Sequence, residues 1–559
     1  MVTKNDIFSH RLIISVLWNI AMQILLAIVL VWLIQIDLVH PMTWISSTIS
    51  YIFSWKMFFN IILLGLVSFF QAYIYGSYYM TPMPKYFTRF SMFMNIFSLQ
   101  NFILSILYAL SGYFTMSLYS SLSKTDILKK KCVTYDGQCL VESGLFIQFG
   151  GMWMGLYYLM NVHVFNVSTL VFSHMYQGKF QQMKLAINNI LSLGFKNSIP
   201  PVIYYCLFYY VWGNKPRSAV SEVYNSYLED PPLDNIFNLF RSGIWISLWL
   251  YTSLFFISMY IMKSTFNFIL TEPMNFPIES NTHMTIYDAL SQRYQFCEYL
   301  GAQDLKIMSL SDPARRLQIF TLSQPGGHPK NWNNLLDQCL HIINDFSRQL
   351  DTLNHNEQQE IEVSNRNNIL NARPHSDRSY DGIRNMAHSP ELLHLKNHNK
   401  TPAEDSFAVI MEDECKNILN RICQMPGISF FFGELTDTKL KYLLVQAQPV
   451  VWVCEGLAFM AAASLKEDKY GVVQNDLAKV ITALINLKQN LEKLTKPGLM
   501  SRKHVLNDAY AIKMRAALFS SVKRSIYKLV ITFSKYMHEI PLDRDVQLAI
   551  QPYLLLKEA

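Results

Sequence analysis

The sequence lacks the short motifs that mark the common enzyme classes. It contains no GxxxxGK[ST], GxSxG or HExxH pattern and no kinase-type set of motifs. Gly326 and Gly327 lie between prolines rather than in a phosphate-binding loop. The eight cysteines show no CxxC or Cys/His spacing suited to zinc, and His394 and His398 stand without further ligands. We therefore expect no catalytic residue, metal site, cofactor or small-molecule substrate.

Charge is scarce in the apolar segments and nearly balanced in the second half of the chain. Residues 1–262 carry a net charge of +6, whereas residues 263–559 carry only +1. A nearly neutral second half lacks the basic footprint of a nucleic-acid-binding protein, so no nucleic-acid partner is expected. The apolar segments hold no Asp, Glu or Arg and one lysine, Lys196. Ion-coupled transporters usually need such groups within their spans, so this class is disfavoured.

Six apolar segments predict a polytopic membrane domain of α-helices in residues 1–262. A helix of about 20 apolar residues crosses the hydrocarbon layer, where its backbone groups must bond to one another. No small-residue cleavage site follows the first segment, so we interpret it as a retained span. The fifth segment is weaker, because Pro200-Pro201 interrupts it. The six segments are 12–36, 57–79, 93–119, 144–172, 190–212 and 242–262.

The loops between these segments give little information on orientation. Their Lys and Arg residues divide evenly between the two sides of the membrane. Cys132 and Cys139 flank a short turn-rich stretch after the third segment. They are either two free thiols or a disulfide, and a disulfide would place this loop in an oxidising compartment such as the lumen.

Gly151 and Gly155 in the fourth segment have the spacing that allows two helices to approach closely. We expect them to pack within the helix bundle of this chain; the alternative is a dimer interface.

The second half predicts an all-helical soluble domain that a disordered linker divides. Asp312-Pro313 is a good helix start, and apolar residues recur at helical spacing in four further stretches. The apolar stretch 449–464 is short and contains Glu455, which favours a buried helix over a seventh span. The four stretches are 285–301, 331–350, 473–494 and 508–537. The predicted domains are the membrane domain 1–262, a first helical part 263–352, the linker 353–405, and a C-terminal helical domain 406–559.

Two features of the soluble part are candidate contact sites. Helix 508–537 carries basic residues beside an apolar stripe. We prefer the solvated face of a packed helix, the alternative being a face for lipid or a partner. The Pro/Gly turn before the helix at 331 either fixes a helix connection or forms a rigid docking loop. The residues are Lys513, Arg515, Lys523, Arg524 and Lys528 in the helix, and Gln324, Pro325, Gly326, Gly327, His328, Pro329 and Trp332 in the turn.

Three stretches resemble the six-span transmembrane nucleoporin family that is named for the nuclear division cycle. The first is 299–332, which contains LSQPGGHP at 322–329. The second is IDLVHP at 36–41 with Trp44, and the third is AASLKEDKYGVVQ at 462–474. The cysteine pair after the third segment is also similar. The linker is shorter than in vertebrate members, so contacts attributed to that insert do not carry over.

The resemblance implies a structural role and no enzyme activity. Such proteins lie where the inner and outer nuclear membranes fuse, with both termini on the cytosol and pore side. They help to anchor and assemble the nuclear pore complex, and so support nucleocytoplasmic transport of protein and mRNA. Besides the bilayer, the implied partners are Aladin, a β-propeller nucleoporin, and the inner-ring nucleoporin with an RRM-like fold.

Two other functions compete with this interpretation. One is a channel or transporter of the endoplasmic reticulum or nuclear membrane with a cytosolic regulatory domain, which would need a polar pathway through the bundle. The other is a membrane-bound enzyme of the endoplasmic reticulum, which would need clustered His or acidic residues at the membrane face.

Overall fold

A computed structural model describes most of the chain, which folds as two compact units. The membrane unit comprises Met1–Pro84 and Met94–Asp304, and the C-terminal unit comprises Lys85–Phe93 and Leu305–Ala559. Residues 263–304, which we assigned to the soluble part, therefore belong to the membrane unit. The described residues are 4–37, 39–79, 88–122, 129–131, 138–165, 172, 178–224, 233, 237–239, 243–280, 283–291, 295–322, 327–371, 430, 436–494 and 509–558.

The regular elements among the described residues of the first half are helices, as its apolar segments predict, and one short antiparallel hairpin. In the hairpin, Lys130 pairs with Cys139. A π-helical stretch, Met160–Phe165, continues the sixth helix. The elements are α1 (Lys4–Ile34), α2 (Pro41–Ile52), α3 (Trp55–Tyr79), α4 (Arg89–Ile96), α5 (Leu99–Leu122), β1 (Lys129–Lys131), β2 (Gln138–Leu140), α6 (Glu142–Leu159), α7 (Lys179–Trp212), α8 (Asn214–Tyr224), α9 (Ile244–Leu270) and α10 (Ile286–Leu290).

Four of the predicted spans coincide with helices that are long and apolar enough to cross a membrane. The stretches are Ser9–Ile34, Trp55–Ser77, Leu99–Leu122 and Ile244–Leu270, and they have 23 to 27 residues each. Half of the last stretch is buried inside the protein, against 28 to 39% of the other three. The helix α9 is thus the most enclosed of the four, while α1, α3 and α5 each leave a row of large apolar side chains exposed. An outward apolar surface of this kind is stable in a bilayer, which confirms an all-α polytopic membrane protein.

Within the part of the chain that the structure describes, the other two predicted spans do not coincide with a helix that is both long and apolar enough to cross a membrane. Within the fourth segment, α6 ends at Leu159 and the π-helical stretch ends at Phe165, and residues 166–171 lie outside the described part of the chain. The fifth segment is the second half of the 34-residue helix α7. The total of six spans therefore remains a prediction.

The prediction that Pro200 and Pro201 interrupt the fifth segment is wrong, because α7 runs through both residues. Two prolines remove two backbone N–H donors, so the helix needs support from elsewhere. The side chains just before the prolines bond α7 to helix α9. The Nδ2 of Asn197 donates to the Tyr260 hydroxyl at 2.8 Å, and the Ser198 and Ser253 hydroxyls are 2.9 Å apart.

The C-terminal unit is a helical domain around one apolar helix, Gln448–Glu467. This helix also has the length and composition of a span, but 83% of it is buried among the other helices of its unit. This burial agrees with the prediction that the stretch 449–464 is a buried helix and not a seventh span. The helices in the second half of the chain are α11 (Gln295–Ser311), which begins in the membrane unit and enters this unit at Leu305, α12 (Pro313–Ile319), α13 (Lys330–Asn371), α14 (Thr436–Val445), α15 (Gln448–Glu467), α16 (Leu477–Lys493), α17 (Ala509–Thr532) and α18 (Arg544–Glu558).

The structure corrects one predicted helix and the start of the predicted linker in this half. The stretch 285–301 is two helices, and the first of them, α10, starts with a capping box of Thr285 and Asp288. The predicted linker begins too early, since α13 continues to Asn371. Asn354 is buried there, and its Nδ2 donates to the Asn490 carbonyl at 3.3 Å, so packing continues past residue 350. The Gln and Glu residues that follow are good helix formers. Residues 372–405 lie outside the described part.

Candidate docking region of the C-terminal unit

The predicted turn between α12 and α13 is anchored by its tryptophan. The Trp332 side chain is fully buried, its Nε1 donates to Asp476 Oδ2 at 3.1 Å, and its ring lies 6.3 Å from that of Phe320. Trp332 therefore holds the start of α13 against the start of α16 and is not available to a partner. The side chain of His328 is exposed, and Gly327 and Pro329 are partly buried. Gln324, Pro325 and Gly326 lie outside the described residues.

A double hydrogen bond fastens α12 to the end of α15. Asp312 caps α12 through its Oδ1, as its sequence predicts, and this orients the arginine that follows. Arg316 donates through Nη2 and Nε to the two carboxylate oxygens of Glu467, at 2.6 and 2.8 Å. This pairing raises the pKa of Arg316 and lowers the pKa of Glu467. Both groups therefore stay charged, and the helices keep a fixed angle.

A second ion pair lies inside the unit, at the one acidic residue in the middle of α15. Glu455 is 1% exposed. Its Oε2 is 2.6 Å from Lys306 Nζ, and its Oε1 is 3.5 Å from Arg524 Nη1. The three residues join α11, α15 and α17. Sequence reasoning singled out Glu455 as incompatible with a span but missed its partners, which are 149 and 69 positions away in the chain.

The basic residues predicted in 508–537 lie on α17, outside its buried stripe. Lys513, Lys523, Arg524 and Lys528 are exposed, and Arg515 is partly buried. The opposite face is buried in the core through Leu518, Val522, Ile526 and Leu529. The helix is therefore packed on its apolar side and presents its cations on the surface. Contact of this basic face with lipid or with a partner remains a prediction.

The two candidate glycines of the membrane unit lie where α5 and α6 cross. A Cβ on Gly151 would be 2.5 Å from the Gly112 carbonyl oxygen, and one on Gly155 would overlap the Tyr108 carbonyl oxygen. Both contacts are with the backbone of α5, so these glycines permit close packing within the chain.

The predicted disulfide is outside what the structure describes. Cys132 lies outside the described residues, and only the backbone of Cys139 in β2 is described. Cys206, Cys297, Cys339 and Cys454 are free, and burial raises the pKa of Cys339 to about 12. Such buried thiols are poor nucleophiles. Among the described residues, no group of three or more His, Cys, Asp and Glu could hold a metal ion.

The chain matches the family model "Nucleoporin protein Ndc1-Nup" over residues 7–551. It is 23% identical to nucleoporin NDC1 of Mus musculus over 657 aligned positions, which cover 99% of this chain and 97% of the relative. It is 22% identical to nucleoporin NDC1 of Xenopus laevis, with both chains fully covered. With nucleoporin Ndc1 of Drosophila melanogaster it shares 24% identity, over 95% of this chain and 94% of the relative. The protein therefore belongs to the Ndc1-Nup family of nucleoporins and is a nucleoporin of the nuclear pore membrane.

Proposed function

We propose that the protein anchors the nuclear pore complex in the pore membrane and helps to assemble it, with the membrane unit inserted and the C-terminal unit docking other nucleoporins. The observation that carries this proposal is the closed core of the C-terminal unit. Its most apolar helix, α15, is enclosed by its own neighbours, while the basic face of α17 is left on the surface. A unit whose core is complete and whose surface carries a cationic face can dock a protein of complementary charge.

The proposed partners are those that the family resemblance implies, Aladin and the RRM-fold inner-ring nucleoporin. The exposed cations of α17 favour an acidic surface on at least one of them, because complementary charge speeds and orients association. Assembly would begin with the chain in the endoplasmic reticulum membrane, which is continuous with the nuclear envelope.

We further propose that both termini lie on the cytosol and pore side. The segment Lys85–Phe93 follows the second span and belongs to the C-terminal unit. In that unit the guanidinium of Arg89 lies 3.9 Å from the Phe430 ring centroid, and its Nη1 donates to the Phe430 carbonyl at 3.2 Å. Two spans separate residue 4 from this segment, so the N-terminus and the C-terminal unit would share one side.

The described polar residues that form a cavity within the bundle do not support the channel or transporter alternative. Asn19, Gln23, Ser68, Gln71 and Ser258 line a cavity of about 10 Å³. A volume of this order holds one water molecule. The Nε2 of Gln23 donates to the Tyr119 hydroxyl at 2.7 Å, so this polar group serves helix packing. This cavity offers no pathway for an ion or substrate.

The first experiment images the full chain, tagged after Ala559, beside a marker of pore complexes. We expect fluorescence at the nuclear rim in points that coincide with the marker. A uniform reticular pattern would refute the proposal.

The docking role is tested by deletion of residues 312–559, which ends the chain after α11. We expect the shortened chain to stay in the membrane after alkaline extraction and to lose co-purification with nucleoporins. Retained co-purification would place docking in the membrane unit.

A pair of charge reversals tests the basic face within the full chain. Lys523→Glu with Lys528→Glu should weaken co-purification of an acidic partner about tenfold or more and leave membrane insertion intact. Lys466→Glu with Lys469→Glu is the matched control, because these lysines are also exposed but belong to the end of α15 and the turn after it rather than to α17. Equal binding by both double variants would contradict docking through this face.

A further inference from the structure

The short helix α2, between the first two spans, has three distinct faces. Its buried face consists of Thr48, which is fully buried, with Trp44 and Tyr51, which are partly buried. Its polar face consists of Thr43, Ser46, Ser47 and Ser50. The third face is apolar and exposed, with Met42, Ile45, Ile49 and, at the helix end, Phe53. These residues are spaced by three and four positions, so each set forms one continuous stripe of the helix.

The buried face fixes α2 to the ends of two spans. The Trp44 ring packs edge-on against that of Trp32 at 5.4 Å, and the Thr48 hydroxyl donates to Gln35 Oε1 at 3.2 Å. The Tyr51 hydroxyl donates to the Leu122 carbonyl at 3.1 Å, at the end of α5. The orientation of the other two faces therefore follows from the fold.

The apolar face is too exposed to be a soluble surface and too short to be a span. Met42 is 80% exposed and Phe53 is 85% exposed. With 12 residues, α2 is roughly 18 Å long, well below the roughly 30 Å of the hydrocarbon layer. Its exposed apolar surface continues through Trp55 and Phe58 onto the outward surface of the second span. What covers that span is lipid, so lipid is the occupant that this continuity indicates.

We propose that α2 lies in the plane of the membrane, at the boundary between lipid headgroups and acyl chains, with its apolar face in the bilayer and its Ser/Thr face in water. Residues 41–55 contain no Asp, Glu, Lys or Arg, and the nearest charges are Asp37 and Lys56 on either side. Binding therefore rests on apolar burial and needs no anionic lipid. The bonds to α1 and α5 make α2 a brace that sets the depth of the first and third spans.

The test places a photo-crosslinking residue at one position at a time in the full chain, reconstituted in phosphatidylcholine vesicles. Ile49→p-benzoylphenylalanine and Phe53→p-benzoylphenylalanine probe the apolar face, and the same replacement of Ser46 or Ser50 probes the polar face. Val29, exposed in the first span, is the positive control. We expect lipid adducts, detected by mass spectrometry, at least tenfold more abundant at 49 and 53 than at 46 and 50. High salt should leave them unchanged.

Other outcomes would overturn the proposal. Equal lipid adducts on both faces would mean that α2 is submerged, and cross-links to protein at 49 would mean that another chain covers it. A dependence of the adducts on salt or on added phosphatidylserine would show that charge, not apolar burial, holds the helix. Size-exclusion profiles identify any variant that fails to fold, and Phe53 is the mildest replacement because the probe is itself a phenylalanine.

Discussion

Replacing Glu455 by leucine removes the acidic partner of the buried ion pair in the C-terminal unit and leaves Lys306 without it. The Lys306 side chain is only 17% exposed, and its ammonium lies 2.6 Å from the carboxylate that the substitution removes. Removal of one partner of a buried pair costs about 3–5 kcal/mol, because the remaining charge stays buried without compensation. We expect this cost to appear as a lower free energy of opening of α15 (Gln448–Glu467), the helix that carries Glu455.

The assay is amide hydrogen exchange of the full chain in lipid nanodiscs, followed by mass spectrometry of peptides from α15. When closing is faster than exchange, the exchange rate reports the free energy of opening. A loss of about 3 kcal/mol should therefore speed exchange of these amides by more than about a hundredfold. Peptides from the first span should exchange as in the wild type.

A double substitution separates charge from packing. Lys306→Met together with Glu455→Leu replaces the pair by apolar side chains and should restore most of the protection, since such replacements are often neutral. Arg524→Met should cost less than about 1 kcal/mol, because Arg524 is 55% exposed and lies farther from Glu455. The reasoning is refuted if the α15 amides of Glu455→Leu exchange as fast as those of the wild type. It is also refuted if the loss of opening free energy in the double variant equals the sum of the losses in the two single variants.

Three further predictions concern single contacts. Gly155→Ala should force α5 and α6 apart and lower the thermal stability of the detergent-solubilised chain by several degrees. Gly178→Ala, which meets nothing within 4 Å, should not, and equal effects would contradict the close packing. The lowered pKa of Glu467 means that its bond to Arg316 stabilises the fold above the pKa of the unfolded chain and is lost as the pH falls through the lower, folded value. Thermal stability should fall on acidification through this range, and less so in Glu467→Gln; identical pH profiles would exclude the pair as the cause. Trp332→Phe should lower the free energy of opening of α13, measured by amide exchange, by about 1 kcal/mol, and Trp332→Ala should lower it by about 3–5 kcal/mol. Unchanged exchange in the alanine variant would mean that the ring lies outside the core.

Sequence reasoning succeeded where a property depends on a local run or period. Uninterrupted apolar segments identified the first three spans and the last, because the length of the hydrocarbon layer sets the requirement directly. The glutamate inside an apolar stretch similarly favoured a buried helix for α15. Asp312 followed by proline identified the start of α12. Recognition of the family likewise rested on contiguous strings of residues, and the family model confirms it.

Sequence reasoning failed where a contact with a distant residue overrides a local signal. Pro200 and Pro201 are helix breakers by local rules, yet α7 continues through both, and the side chains just before them bond to α9. The polar composition after residue 353 indicated a linker, yet packing of Asn354 carries α13 further. Neither partner is visible in the local pattern, since each lies far away in the chain.

The sequence by itself determined the class of this protein, a helical membrane protein of the nucleoporin family, because apolar run length and contiguous motifs need no partner. Only the tertiary structure decided which residues of the candidate sites are exposed and so accessible to a partner. Trp332, a docking candidate from its motif, is a core residue, because its indole is bonded to Asp476. The faces of α2 and α17 became distinct for the same reason, since packing against a neighbouring helix determines which stripe is left to lipid or to a partner.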